Sequence, residues 1–313
     1  TLKSLKSVLQ TLRAGVAGKL GLAWLLMCGL IGAAGWLGWL ERIELLVYDA
    51  AIAFSSQPRS DLPVVLVGST DEDLQKYGWP LPDDKLAAVI ERVAAAGAVA
   101  IGVDLYRDRP VGSDEEVLGE LLRKRRNIVF VSKLSSGRQA AIEGPKAIRG
   151  TGQIGFADIP IDDDGVTRRA LLFAEDGNRT QLSFGLRLTL AALEAKGIKP
   201  ERVGDSARIR LGARTIRPIT GGEGPYHDVD NGGYQLLIDY RDEVGSFRRF
   251  SVADVIEGRA GAQNFKGRVV VIGTAAQGVK DFFSVPSNRI VGDRQAFGIE
   301  VHGQIVTQLL RLA

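Results

Sequence analysis

The chain has 313 residues, 45% hydrophobic and 25% charged, a composition typical of a globular protein rather than a disordered tail or a small disulfide scaffold. Its single cysteine, Cys28, excludes an intrachain disulfide. The net charge is +3, from 40 basic and 37 acidic residues, but four of the bases lie in the first 40 residues, which contain no acid. Residues 41–313 therefore carry 36 bases against 37 acids, and nucleic acid is not an expected partner.

Residues 20–40 form an apolar run of 21 residues without a charge. As a helix this run is about 31 Å long, which matches the hydrocarbon thickness of a bilayer. Because the flanking cations lie only on the N-terminal side, we expect residues 1–19 in the cytoplasm and residues 41–313 outside it, held at the inner membrane by one span. A cleaved signal peptide is the alternative, but the run is longer than the apolar region of such peptides.

The residues before and within this span suggest contacts of their own. Leucines recur every three or four residues from Leu2 to Leu12, which predicts a basic amphipathic segment over residues 1–19. Such a segment lies on anionic lipid, pairs with a second copy, or simply fixes orientation. Small residues line one side of the span at Gly29, Gly32, Gly35 and Gly38. They predict close helix packing, and hence a homodimer.

Downstream of the span, apolar β-branched runs alternate with amphipathic segments. Strands are predicted at 61–68, 98–106 and 127–133, with helices at 83–96 and 113–126 between them. The second of these helices opens with a capping box, Ser113 and Glu116. Strands joined in this way form a parallel sheet with right-handed crossovers. The expected fold is a mostly parallel α/β sheet with helices on both faces.

The middle of the chain predicts an antiparallel insertion. Segments 154–159 and 166–174 flank Asp164-Gly165, the signal of a hairpin turn. A helix at 182–196, a small hairpin at 207–219 and a glycine-rich loop at 220–233 follow. Strands at 234–240 and 268–273 and helices at 252–257 and 298–312 complete the pattern, which favours one domain over two.

Three motif matches fail on their context. A GxGxxG pattern at 150–155 lacks a preceding strand, and a phosphate-loop pattern at 273–280 has Asp281 where Ser or Thr should stand. Residues 162–165 resemble a calcium loop, but Pro160 and Leu171 occupy two ligand positions, so a turn is the better interpretation. No hydrolase or zinc signature occurs. The chain therefore shows no catalytic set, and whether a longer protein is an enzyme stays open.

Acidic residues follow three of the predicted strands. Asp71 follows the first, Asp104 ends the second, and Asp281 lies beyond the strand ending at Gly273. If these strands are parallel neighbours, the three carboxylates meet at the edge where open α/β sheets bind ligands. Such a group needs a cation, a cationic ligand or a proton, and a divalent metal is one candidate. The alternative is that each Asp caps its own loop.

Together the motifs resemble one known family, the CHASE domain of the second type, a sensory extracellular domain associated with cyclases and histidine kinases. The resemblance covers about residues 41–312. Its shared motifs are Glu44 with Asp49, Asp71-Glu72, Gly78 to Pro80, Gly97 to Asp104, Asp162 to Arg169, Tyr240-Arg241, Lys266 to Ala276, Asp281 with Pro286, and Gly298 to His302. Leu81 and Asp83 replace the usual Trp and Arg, and Ser69-Thr70 replace an apolar pair.

The resemblance implies an extracytoplasmic sensor for an unknown ligand, whose output is a cytoplasmic nucleotide cyclase or histidine kinase outside this chain. It adds Trp79 and Thr274 to Asp71, Asp104 and Asp281 as ligand-binding candidates. It also makes Asp49, Glu300 and His302 candidates for signal coupling. Two other classes stay open at this point: an anchored binding or scaffold protein without output, and a membrane-anchored enzyme using a metal at the acidic edge.

Overall fold

The computed structural model describes residues 2–112, 115–137, 139–176, 179–204, 208–242, 245–292 and 295–313, and side chains from residue 18 onward except that of residue 115. The predicted capping residue Ser113 therefore lies outside the described residues. The chain divides into two compact units. One comprises Thr1–Tyr48 with Thr220–Asp230, and the other comprises Asp49–Ile219 with Asn231–Ala313.

The helices and strands have the following bounds. The α-helices are α1 (Leu2–Trp36), α2 (Glu41–Ser55), α3 (Asp71–Tyr77), α4 (Asp83–Ala95), α5 (Glu115–Lys124), α6 (Phe184–Glu194), α7 (Val252–Ile256), α8 (Pro286–Val291) and α9 (Gly298–Leu312). The strands are β1 (Val64–Ser69), β2 (Ala100–Val103), β3 (Ile128–Ser132), β4 (Ile154–Phe156), β5 (Arg169–Asp176), β6 (Arg179–Leu182), β7 (Pro200–Arg202), β8 (Ile209–Leu211), β9 (Arg214–Ile216), β10 (Tyr234–Leu237), β11 (Arg248–Ser251), β12 (Val269–Thr274), β13 (Phe282–Phe283) and β14 (Ala296–Phe297).

The core of the larger unit is a six-stranded parallel sheet, which confirms the predicted α/β class. Its strand order is β11-β1-β12-β2-β3-β4. Every residue of β1 and β12 is buried, as expected for parallel strands covered on both faces. One apolar cluster packs α4, α5 and α7 on one face, and a second packs α6 and α9 on the other.

The position of β12 determines where the functional groups lie. Val64 of β1 pairs with Val269 of β12, and β12 in turn pairs with Ala100 of β2. The late strand is thus inserted between the first two, so that the ends of three strands distant in sequence become neighbours. The chain-order pattern did not show this insertion.

The predicted hairpin around Asp164-Gly165 is wrong in its pairing. The turn exists, and Gly165 adopts a positive φ of 80°, but β4 joins the parallel sheet beside β3 while β5 pairs with β10 and β6 in an antiparallel sheet. Close packing helps to place β4 there. A Cβ on Gly155 would lie 2.7 Å from the backbone of Phe184, so only glycine allows α6 to approach this strand.

The smaller unit contains α1, whose segment Gly18–Trp36 is long and apolar enough to cross a membrane, with none of it buried. The helix ends at Trp36, four residues before the predicted boundary. Gly38 has φ 74°, and the N–H of Trp39 bonds back to Ala34 O at 2.9 Å. This left-handed glycine closure ends a helix by satisfying its last carbonyls.

Candidate functional site

The carboxyl ends of β1, β12 and β2 form one edge of the sheet, and the three predicted aspartates follow these strands. In this register Ser69 pairs with Thr274, and Ile272 pairs with Val103. Asp71 begins α3 directly after β1, and Asp104 follows β2 with its N–H bonded to Ile272 O at 2.7 Å. The topology therefore supplies the neighbouring strand ends that the acidic-edge prediction requires.

Asp71 uses its carboxylate for the backbone. The N–H groups of Gln277 and Gly278 donate to its two oxygens at 3.0 and 3.1 Å. These residues belong to a short 3₁₀ turn after β12, so Asp71 caps that turn and ties it to α3. This arrangement corresponds to the capping alternative for this residue.

Asp104 and Asp281 form a different kind of group, a partly buried acid pair. Burial raises the pKa of Asp104 to about 7. Burial and the negative charge of Asp104 raise the pKa of Asp281 to about 6. Among the described residues, no group donates a hydrogen bond to either carboxylate. A cluster of this kind stays protonated or attracts positive charge.

His302 on α9 points at the acid pair. Its Nε2 lies 3.9 Å from Asp104 Oδ2, beyond direct hydrogen-bond distance, and its ring meets Phe184 edge-on at 5.0 Å between centroids. The residue is 5% exposed, and its buried Nδ1 has no hydrogen-bond partner in the part of the chain that is described. Burial lowers the pKa of His302 to about 4, so the ring is neutral at pH 7 and can accept a hydrogen bond.

Tyr106 completes the surroundings of the acid pair and was missed in the sequence. Partial burial raises the pKa of Tyr106 to about 12, with further contributions from the negative charges of Asp104, Asp158 and Asp281. Its phenol therefore lies among these carboxylates, while the residue as a whole is 42% exposed. The available signal was an aromatic residue two positions after an aspartate at a strand end.

The other two ligand-binding candidates lie in different surroundings. Thr274 ends β12, is buried, and its Oγ1 accepts a long 3.4 Å bond from the N–H of Ala276. Trp79 lies between α3 and α4 and is 44% exposed. No hydrogen bond or ring contact between Trp79 and the acid pair occurs among the described residues. Their roles, like that of the pair itself, stay predictions.

A divalent cation at the acid pair stays a prediction. Among the described residues, no group of three or more His, Cys, Asp or Glu side chains is arranged to hold a metal ion. Protein-bound Ca²⁺ takes six to eight oxygen ligands, and Mg²⁺ takes an octahedral set. Two carboxyls beside one imidazole fall short of either arrangement.

A second cluster, the arginine cluster, is centred on Arg168 and was not predicted as a contact network. Arg168 is fully buried and donates from Nε and Nη2 to the two oxygens of Asp49, both at 2.7 Å. Its Nη1 donates to Asp162 at 2.7 Å, and its Nη2 to Asp164 at 2.8 Å. Arg289 of α8 donates to Asp49 at 3.2 Å and also bonds Asp164.

The arginine cluster explains the Asp-rich motif of residues 162–169. Burial alone would raise the pKa of Asp164, but hydrogen bonds and charge from Arg168 outweigh it and lower that pKa to about 2. Arg169 donates to Asp162 at 2.8 Å and to Gln235 at 2.6 Å. These carboxylates bind guanidinium groups, which agrees with a turn rather than a calcium loop in this segment.

Helix α9 is held at both ends. Glu300 accepts the N–H of Phe297 at 3.0 Å and so caps the first turn, while Arg249 lies 3.9 Å from the same carboxylate. Near the last turn, Arg311 binds the buried Asp242 at 2.6 Å. The coupling candidates Glu300 and His302 thus lie on a helix whose first residue donates to Asp281 O at 3.2 Å.

Comparison with known proteins gives one family. A family model described as the CHASE2 domain matches residues 22–313, essentially the whole chain. No curated protein and no solved structure matches it. CHASE2 domains are sensory extracellular domains associated with signalling proteins. Since the match extends over far more than half of the residues and agrees with the motifs found in the sequence, the chain belongs to the CHASE2 family.

Proposed function

We propose that this chain is the extracytoplasmic sensor of an inner-membrane receptor, with a cytoplasmic nucleotide cyclase or histidine kinase as its output. The observation that carries the proposal is the continuity of the family match, which runs from residue 22 in the candidate span to residue 313 at the end of α9. The cations before the span support a cytoplasmic N-terminus, because positively charged flanks remain inside.

The acid pair is the sensing site in this proposal, and its stimulus is a small cation or cationic ligand. Two unit charges about 6 Å apart repel by roughly 3 kcal/mol at an effective dielectric of 20. A bound cation relieves that repulsion, so it favours the arrangement in which both carboxyls are ionised. Asp281 contacts the start of α9 through its carbonyl, and α9 carries His302. Occupancy is therefore expected to reposition this helix.

Coupling toward the membrane uses the two ends of the larger unit. Asp49 lies on α2 and is bound by Arg168, which directly precedes β5, and by Arg289 of α8. Arg311 and Asp242 hold the other end, at the last turn of α9. A ligand can shift these helices only by its differential affinity for two arrangements, typically about 1–3 kcal/mol.

The receptor acts as a homodimer in this proposal. Gly29 and Gly32 of α1 are exposed, and small residues at a helix surface let a second helix approach closely. Cys28 lies one helical turn before Gly32. Oxidative cross-linking of the full chain in membranes should join two copies through Cys28, and Gly32→Leu should reduce the yield. Equal yields would argue against packing through this side.

Two measurements test the receptor proposal. Protease added to intact spheroplasts should digest residues 41–313, whereas protection until lysis would refute the topology. Residues 1–313 can also be joined to the membrane helices and cyclase of a CHASE2 receptor. Asp104→Asn should then change cyclase activity, while Asp71→Asn, an acid-to-amide change at the same sheet edge, should change it much less. If neither substitution changes the cyclase activity, only a binding or scaffold role remains for the chain.

A further inference from the structure

We propose that Asp104, Asp281 and His302 bind the –NH₃⁺ head of a primary amine. This inference rests on the proposed sensing site and specifies the chemistry of its ligand. The three side chains come from the end of β2, from the segment after β12 and from α9. His302 Nε2 lies 3.9 Å from Asp104 Oδ2, and Asp281 is close enough to both residues for their charges to influence its pKa.

The number of acceptors matches an ammonium group. A protonated primary amine has three N–H donors and no acceptor, as a lysine head group does. The acid pair supplies two acceptors that lack hydrogen bonds within the described residues. His302 supplies the third, because its ring is neutral and its Nε2 points at Asp104. Ammonium binding requires the tautomer with its hydrogen on Nδ1, in which the lone pair of Nε2 faces Asp104.

The distances favour a shared ligand over a direct bond. Two acceptors of one tetrahedral nitrogen lie roughly 4.6 Å apart when each bond is about 2.8 Å long. His302 Nε2 and Asp104 Oδ2 are 3.9 Å apart, too far for a direct bond and slightly close for a bridged one. A small movement of α9 away from β2 would open the site to the bridged distance. Such a movement would couple ligand binding at the acid pair to the position of α9.

The surroundings limit the size of the ligand head. A Cβ on Gly298 would lie 2.5 Å from Asp281 Oδ2, so the backbone of α9 covers this carboxylate closely. The Asp104 side chain is 12% exposed and that of His302 is 6% exposed, which leaves a narrow opening. Tyr106 is 42% exposed, and its phenol is near enough to both carboxylates to feel their charge. A compact –NH₃⁺ fits this description better than a quaternary ammonium.

The experiment uses n-butylammonium chloride as the probe, titrated into the full chain in detergent at pH 7.5 by calorimetry. Butyltrimethylammonium has the same alkyl tail without N–H donors, and MgCl₂ and CaCl₂ test for a metal. Butylammonium should give saturable binding at least tenfold tighter than butyltrimethylammonium. Asp104→Asn and Asp281→Asn should weaken it at least tenfold, whereas Asp71→Asn should leave it within twofold.

The pH dependence gives a second, independent readout. Both acids must lose their protons to bind a cation, so butylammonium affinity should rise between pH 5.5 and 8, with protons released on binding. Thermal unfolding of each variant verifies that it is folded, so that lost binding is not lost structure.

Three outcomes overturn the inference. Equal binding of the two butyl probes would show that the site attracts any cation and does not recognise N–H donors. Binding of Mg²⁺ or Ca²⁺ that disappears in Asp104→Asn would show a metal site. Either result leaves the sensing site in place. If no probe binds, the amine is excluded, while the spheroplast and cyclase experiments still decide the receptor proposal separately.

Discussion

Replacing Asp49 by Asn tests whether the arginine cluster holds residues 49–55 of α2 against the rest of the larger unit. Asp49 accepts two bonds of 2.7 Å from Arg168 and one of 3.2 Å from Arg289. The substitution removes a negative charge and turns one acceptor oxygen into an –NH₂ group that faces guanidinium donors. Arg168 is fully buried and keeps Asp162 and Asp164 as partners, but the cluster loses one of its negative charges and water cannot replace it.

The expected cost follows from that burial. Breaking a buried ion pair by removing one partner destabilises a protein by about 3–5 kcal/mol. For a domain of this size, that corresponds to a decrease in unfolding temperature of roughly 6 to 10 °C. A matched control is Glu120→Gln on α5. Its pair with Lys124 is exposed, 73% for Lys124 and 59% for Glu120, and is worth about 0.5 kcal/mol or less.

Differential scanning fluorimetry of the full chain in detergent measures both variants under one protocol. The same samples, digested with a protease specific for arginine and lysine, report whether α2 becomes accessible. We expect a large decrease in midpoint for Asp49→Asn, earlier cleavage at Arg42 and Arg59, and no change for Glu120→Gln. If the two variants unfold within 2 °C of each other, the cluster does not stabilise the fold as reasoned here.

Three further results are expected. Because the pKa of Asp104 is raised from 3.8 to about 7 in the fold, its contribution to stability is full below about pH 4 and is lost as the pH rises through 7. In thermal melts Asp104→Asn should therefore match the wild type at pH 4 and exceed its midpoint at pH 8, and a lower midpoint at pH 8 would contradict this. Asp73→Ala should cost about 2 kcal/mol in urea unfolding, since Asp73 accepts N–H bonds at the starts of both α3 and α7; a loss below 0.5 kcal/mol would show that water replaces these bonds. Gly155→Ala should cost more than about 2 kcal/mol through its backbone clash, while Gly119→Ala in α5, with room for a Cβ, should add about 0.5–1 kcal/mol; similar midpoints would refute the packing argument.

Much of the sheet was predictable because its strands are short apolar runs bounded by strong turn signals. The bounds of β2 and β3 fall within the predicted segments, β1 extends one residue beyond its predicted end at residue 68, and α9 was predicted to the residue. Strand order was not accessible, since local patterns carry no information on which distant strand fills a gap. The same limit explains the hairpin error. Two apolar segments on either side of a turn signal predict an antiparallel pair, and only the folded chain shows that β4 and β5 have other partners.

The candidate site was only partly predictable for a related reason. An aspartate after a strand has the same sequence signature whether its carboxylate caps a turn, as that of Asp71 does, or accepts no hydrogen bond from any described residue, as is the case for Asp104. The difference depends on whether backbone N–H groups lie within reach. Likewise, Asp49 and Arg168 are 119 residues apart, and only the folded chain shows that they are partners.

The insertion of β12 also has a consequence for how the protein is made. Arg268, at the entrance to β12, binds the carbonyl of Leu62 across 206 residues. While the ribosome is still producing the middle of the chain, the slot between β1 and β2 stays empty and two apolar strand edges remain unpaired. Pairing across such separations is slow, so a nascent chain interrupted before β12 is expected to aggregate or to need a chaperone during translocation.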